Sequence, residues 1–369
     1  MKIDKNFWRN KKILITGHTG FKGCWLSIIL NLLGCKVSGY ALSPTGINNF
    51  FKQAKVENIL DNDIRHDIKD IIFLKKKIKK LQPDIIVHLA AQSSVIESFK
   101  NPRSTVMTNT IGTYNLLEAI KDNKKIKCVL AITTDKVYQN YEDVKYFDEN
   151  SKLGGDDIYS GSKACCEILV NSYRKSFFQK SQCRIATARA GNCFGGGDWT
   201  EDRIVKDALE CFSANKTMTL RNPEATRPWQ HVIEPLFGYL LLIQKLCSKK
   251  GKEYQGPWNF GPSLKQNLKV INLTKLIKKI MNSKSNITVK RIFKKPKNKK
   301  IQLFESKHLN INSAKARKLL KWAPFLTIKE SVHLTTDWYK AFKDKKDLLQ
   351  ISESQILNYI KKIQKKNDT

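Results

Sequence analysis

Apolar residues in the first half of the chain fall into two alternating textures. Short runs at 12–16 (KILIT), 36–42 (KVSGYAL), 85–90 and 127–133 read as strands, and the continuous apolar ones as strands buried on both faces. Between them, 21–33 carries its apolar residues at helical spacing and stops at Gly34, a natural C-terminal cap. Ser43-Pro44 ends the second strand, and Pro83-Asp84 opens the strand at 85. A short strand near 63–65, a long helix over 159–178 and a strand over 184–189 continue the alternation. This order predicts a Rossmann-type α/β fold, a doubly wound parallel sheet with crossover helices.

From Gly191 the texture changes. A glycine-rich loop over 191–197 leads into short mixed elements, with loops at 222–227 and 261–265 and a basic linker at 294–300. Helices are expected over 313–320 and 328–343, and the Lys-rich segment 344–369 reads as a solvated helix or mobile tail. The expected organisation is a Rossmann domain over 1–190, a span over 191–343 that is mainly a smaller C-terminal lobe, and the tail.

At 369 residues and 41% hydrophobic, the chain can bury a large core. Its net charge of +34 invites a nucleic-acid partner. Only 11 of the 67 basic residues are Arg, however, and the lysines are spread along the whole chain, with runs only at 75–80, 294–300 and 361–366. No specific nucleic-acid partner is therefore expected. No apolar run reaches the roughly 20 residues a bilayer requires, and the charged N-terminus lacks a signal peptide's apolar stretch. A cytoplasmic protein without a membrane partner is the expectation. Nine cysteines, an odd number with no CxxC pair, fit neither a disulfide framework nor a zinc site, and no other cluster calls for a metal.

Chemistry enters with Gly17-His-Thr-Gly20-Phe-Lys-Gly23, a GxxGxxG between the first strand and the first helix. Such glycines let backbone approach a pyrophosphate that sits on helix N-terminal amides. Gly17, Thr19, Gly20, Phe21, Lys22 and Gly23 are thus candidate cofactor contacts. The acidic residue usual after the second strand is missing, which leaves NAD and NADP both open to this reading. Asp67 and Ile68 are placed to meet an adenine. Tyr159-Ser-Gly-Ser-Lys163 puts a phenol and an ammonium one helical turn apart, so the cation can ease loss of the phenol proton. Thr134, at the end of the strand at 127–133, can hydrogen-bond a substrate hydroxyl beside Tyr159. Asp135 and Lys136 follow it and offer an acid and a base.

GxxGxxG, the strand-end threonine and YxxxK together resemble the extended short-chain dehydrogenase/reductase superfamily, in its sugar-nucleotide branch. Thr134-Asp-Lys-Val-Tyr138, Gly191-Asn-Cys-Phe-Gly-Gly-Gly-Asp-Trp199 and Arg227-Pro-Trp-Gln-His231-Val narrow the resemblance to the CDP-glucose 4,6-dehydratase family, over about 11–342. The resemblance implies NAD as cofactor, with contacts extending to Leu89, Ala90, Ala91, Gln92 and Asn109. It implies CDP-glucose as substrate, held by Ser94, Asn192, Arg203, Arg221, Arg227 and His231. Tyr159 would take the 4-hydroxyl proton, Lys136 the C5 proton, and Asp135 would protonate the departing 6-hydroxyl. Lys136 must be neutral to do so, and crowding by Lys163 and the nicotinamide is the expected cause. Asn109 would support Lys163 through water, and a homodimer is implied. Three departures stand out. Ser93-Ser-Val-Ile96 replaces the family's Pro-Leu-Val-Arg, Asn312 replaces an Asp, and the segment after about Lys343 looks unmatched.

Overall fold

The computed structural model describes residues 2–141, 146–262, 267–289 and 309–367; the basic linker expected at 294–300 lies outside them. Seven parallel strands form the central sheet. They are β1 (Lys12–Thr16), β2 (Lys36–Ala41), β3 (Asn62–Arg65), β4 (Ile85–His88), β5 (Cys128–Ile132), β6 (Arg184–Ala190) and β7 (Gly256–Phe260). Their spatial order is β7-β6-β5-β4-β1-β2-β3. The order reverses between β1 and β4, and a crevice at the carboxyl ends of strands beside such a switch point is where doubly wound folds bind ligands.

Alternation within each strand feeds two cores. Ile13 and Ile15 of β1, Ile85 and Val87 of β4, and Leu130 and Ile132 of β5 pack on one face. Leu14, Ile86, Val129 and Ala131 pack on the other. The helices Phe21–Leu32 and Ile233–Leu246 cover the first face. Ile71–Leu81, Gly112–Ile120 and Ile158–Ser176 cover the second. Continuous apolar runs are what a sheet covered on both sides requires.

The observed strands and helices fall within a residue or two of most expected ones, and the helix Ile328–Lys343 coincides with its expectation. Two features differ. The span assigned to the smaller lobe returns to the sheet as β7, which pairs with β6 from Gly256↔Ala186 to Phe260↔Ala190, so the chain does not leave the Rossmann domain for good at residue 190. The tail is helical from Leu348 to Asn367 but is packed rather than solvated. Its Ile356, Tyr359 and Ile363 are buried in the main core, and Ser352 accepts the Trp338 indole N–H at 3.0 Å. Within the glycine-rich loop, Cys193–Phe194 pairs with Gln230–His231, and in the expected 222–227 loop Thr226–Arg227 pairs with Leu268–Lys269. All nine cysteines are free of disulfides. Among the described residues no helix is long and apolar enough to cross a membrane, and no group of three His, Cys, Asp or Glu is placed to hold a metal.

Candidate active site

The glycine turn after β1 is shaped for close approach of backbone. Gly17 has φ +78°, and a Cβ there would lie 2.6 Å from the Ala90 nitrogen, so only glycine lets the turn press against the end of β4. Gly23 plays the helix-packing part, since its Cβ would fall 2.3 Å from the Gly17 carbonyl oxygen. Gly20 caps the helix Phe21–Leu32 without any side-chain hydrogen bond, which leaves its first amides free for an anion. The Thr19 hydroxyl donates to the Leu42 carbonyl at 3.2 Å. Opposite, Tyr40 donates to the Asp67 carbonyl, Asp67 pairs with Lys69 at 3.1 Å, and Ile68 is buried beneath Gly112. The cradle and its uncapped helix fit a dinucleotide's pyrophosphate. At the end of β2, the residues after Ala41 are Leu42 and Ser43, neither acidic.

His18 serves this turn structurally. It is fully buried, its Nε2 meets Asp63 of β3 at 2.8 Å, and Gly39 of β2 has no side chain because a Cβ would strike its ring at 2.2 Å. His88 is likewise structural, held between Thr16 at 2.7 Å and Thr113 at 3.0 Å, with burial lowering its pKa to about 3.

Leu89 and Ala90 hang from β1, through the Thr16 carbonyl at 2.9 Å and hydroxyl at 3.3 Å. Ala91 and Gln92 follow, and Asn109 clamps the Gln92 backbone on both sides, at 2.8 and 3.0 Å. Asn109 lies in a π-helical turn, Met107–Ile111, a local distortion often found at functional sites. Its third bond, 2.9 Å long, runs to Ser162 in the catalytic helix. It therefore ties the strand-end loop to the helix that carries Tyr159 and Lys163.

Tyr159, Lys163, Thr134 and Asp135 are all buried. The Lys163 ammonium donates to the Ile132 carbonyl at 3.1 Å, anchoring the helix Ile158–Ser176 to the end of β5. Burial raises the Tyr159 pKa, and the Thr134 hydroxyl is the foremost opposing influence, ahead of Arg203 and Lys22. Thr134 donates to Asp135 at 3.1 Å and accepts from the Lys136 amide at 3.3 Å, closing a single 3-10 turn, Asp135–Val137. Burial pushes the Asp135 carboxyl up and the Lys136 ammonium down. Each is therefore biased toward its neutral form, although their mutual attraction opposes this. Desolvation is the foremost cause of the Lys136 shift, and Arg227 and Arg203 are the positive groups that add to it.

The candidate substrate residues are dispersed. Arg227 is buried, and its charge acts on both Asp135 and Lys136. Arg203 begins the helix Ile204–Ser213, stands 3.9 Å from Asp198, and bears electrostatically on Tyr159 and Lys136. Arg221 is half-exposed and pairs with Asp202 at 2.5 Å. It lines one cavity with Ser94, Ile96 and Glu97, and Ser94 also caps the helix Val95–Lys100. Asn192 is half-buried and its carbonyl accepts from Gln230. His231 differs from expectation. It is fully buried with its ring edge-on to Trp25 and Phe194, so it stands in the aromatic core rather than on the cleft surface.

Sequence reasoning missed a buried ion pair beneath these groups. Arg189 of β6 grips Glu167 of the helix Ile158–Ser176 through two bonds of 2.8 and 2.9 Å. An arginine inside an apolar strand, and an acid one turn after Lys163, were the available signals.

A switch-point cleft with a glycine cradle, a Tyr-Lys helix and a strand-end threonine defines a short-chain dehydrogenase/reductase of the sugar-nucleotide type. The family described as GDP-mannose 4,6 dehydratase matches residues 14–335, and the chain belongs to this family. The chain is also 37% identical, over 363 residues, to CDP-glucose 4,6-dehydratase of Salmonella typhimurium, covering 97% of this chain and 98% of that one. That match runs into the C-terminal segment, which the sequence reading had taken as unmatched. Among solved structures, UDP-glucose 4-epimerase of Thermotoga maritima, with UDP-glucose, superposes with a TM-score of 0.76 at 21% identity, covering 90% of this chain and 99% of that one. A dTDP-glucose 4,6-dehydratase of Bacillus anthracis in complex with NAD gives 0.73 at 21% identity, covering 92% and 99%. These two likenesses establish the fold.

Proposed function

We propose that the protein is an NAD-dependent CDP-glucose 4,6-dehydratase, converting CDP-glucose to CDP-4-dehydro-6-deoxyglucose and water. The observation that carries this reading is the turn after β5, where burial biases an acid and a lysine toward their neutral forms beside a Tyr-Lys pair. An epimerase needs no such second acid and base. The Salmonella relative supports the choice of nucleotide.

The amides opening the helix Phe21–Leu32 hold the cofactor pyrophosphate, the Asp67-Ile68 edge the adenine, and 89–92 the nicotinamide half. When bound, NAD supplies a hydride acceptor at C4 and a hydride donor at C6. Tyr159 removes the 4-hydroxyl proton, its phenolate favoured by Lys163 and by Thr134, whose hydroxyl is released to donate to it once Asp135 is protonated. The resulting 4-ketone acidifies C5, and neutral Lys136 takes the C5 proton and returns a proton to C5 when C6 is reduced, regaining its neutral form. Protonated Asp135 delivers its proton to the 6-hydroxyl, which leaves as water. Arg227 faces this turn and suits the substrate's diphosphate, with Arg203, Arg221, Asn192 and Ser94 around the cleft. The span 191–343, except for β7, is the substrate lobe. The protein acts in the cytoplasm as a homodimer, and its product feeds deoxyhexoses of surface polysaccharide such as O-antigen.

Incubation with CDP-glucose and, separately, its dTDP, GDP and UDP analogues at catalytic NAD tests the proposal by mass spectrometry. Loss of one water from CDP-glucose alone is expected. Water loss from a different nucleotide would reassign the substrate, and no loss from any would remove the dehydratase reading.

A further inference from the structure

The Glu167–Arg189 pair lies beneath the catalytic turn and helix, and nothing in the proposed chemistry uses it. Both side chains are 3% exposed. Every lone-pair direction of the Glu167 carboxylate is engaged. One oxygen accepts from Thr133 and from the Arg189 Nε at 2.9 Å; the other accepts from Thr187 at 2.7 Å and from the Arg189 Nη2 at 2.8 Å. The remaining Arg189 nitrogen donates to the Tyr138 hydroxyl at 2.8 Å and the Glu149 carbonyl at 3.3 Å, and Tyr138 in turn donates to Asn259 of β7 at 2.7 Å.

The placement of these partners is the argument. Glu167 stands one turn beyond Lys163 and two beyond Tyr159 on the same helix. Thr133 immediately precedes Thr134, and Tyr138 closes the turn that carries Asp135 and Lys136. One fork of hydrogen bonds thus reaches both ends of the catalytic turn and the helix that presents the phenol. A buried ion pair is a poor way to gain stability, because desolvating two charges offsets most of their attraction, and well-packed apolar replacements are often neutral. A bidentate pair is, however, directional, and fixes two elements at one spacing.

We infer that Glu167 and Arg189 are positioning residues for catalysis, setting the register between the turn 134–138 and the catalytic helix so that Thr134 meets Tyr159. Loosening that register removes the Thr134 contact that favours the phenolate, while Arg203, Lys22 and Asp135, the charged groups that bear on Tyr159, stay in the chain. The inference rests on the roles given to Thr134 and Tyr159 above.

The test uses the full-length protein with two variants, Glu167→Gln and the volume-keeping double substitution Glu167→Leu with Arg189→Met. The double variant removes both charges at once and remains informative if the single one fails to fold. Thermal midpoint, NAD binding and KM are expected to stay near wild type in the double variant, while kcat falls about 100-fold, the scale of a misplacement near 1 Å. In parallel, ultraviolet difference titration with and without Y159F isolates the Tyr159 phenol and needs no substrate, so it reports even if CDP-glucose proves the wrong nucleotide. Its titration is expected to move to higher pH. An unchanged kcat with an unmoved Tyr159 titration overturns the inference. So does a loss of kcat that merely tracks loss of folded, NAD-binding protein, which would make the pair structural only.

Discussion

Asp135 and Lys136 are adjacent in sequence yet are driven in opposite directions, the carboxyl up and the ammonium down, by one cause: both lose water in the same turn. Elimination needs the acid protonated and the amine neutral. Activity therefore falls as pH rises past the value at which Asp135 ionises, and falls again as pH drops below that at which Lys136 protonates, the two titrating as a coupled pair. Lys136→Ala is expected to lower turnover by about 10²–10⁴-fold, the usual worth of a general base. NAD binding should be unaffected, and deuterium from solvent should no longer enter C5. Persistent exchange at C5 would transfer the base's role elsewhere. The residue types and their order could be read directly from the chain. Their burial could not, because it comes from segments distant in the chain, among them the helix Ile158–Ser176 that packs against the turn.

At the scale of elements, the glycine turn and the first helix act as one part. Gly23→Ala puts a methyl group 2.3 Å from the Gly17 carbonyl oxygen and should cost about 1–3 kcal/mol in a urea unfolding measurement, as overpacking usually does. Gly161→Ala is the control. It lies inside a helix with nothing within 4 Å of the added Cβ, and is expected to be neutral or to stabilise by up to about 1 kcal/mol. Equal losses for both would mean that helical strain rather than the close contact at the turn dominates. The strand–turn–helix motif was legible because its glycines are separated by fixed short spacings. The seventh strand was not, since Gly256–Phe260 is a single short segment whose partner, β6, lies far back in the chain.

Across the whole molecule, the C-terminal helix joins the core through Glu234. That carboxylate accepts from the Phe325 and Leu326 amides at 2.7 and 2.6 Å and from the Tyr359 hydroxyl at 2.5 Å. Burial raises its pKa to about 7. The folded state thus holds this proton more tightly than the unfolded chain, whose carboxyl ionises at an ordinary value near 4.5. Between those two values the folded state binds more protons, so stability declines as pH rises from about 4.5 to about 7 and the loss is complete above that window. The shift corresponds to about 3 kcal/mol. Glu234→Gln should flatten this part of the profile, measured as thermal midpoints at pH 5 and pH 8. A slope unchanged in the variant would place the titrating group elsewhere.

The sequence alone determined the sheet class, the glycine turn after β1 and the residue types proposed to move protons. Each of these is written in local spacing: continuous apolar runs, glycines at short intervals, a tyrosine and lysine one turn apart. Only the tertiary structure decided that His231 is core rather than cleft, that the Lys-rich tail is packed, and that an Arg–Glu pair underlies the catalytic turn. Those outcomes depend on which distant segments exclude water from a side chain. Burial of that kind is a property of the assembled chain and has no local period to read.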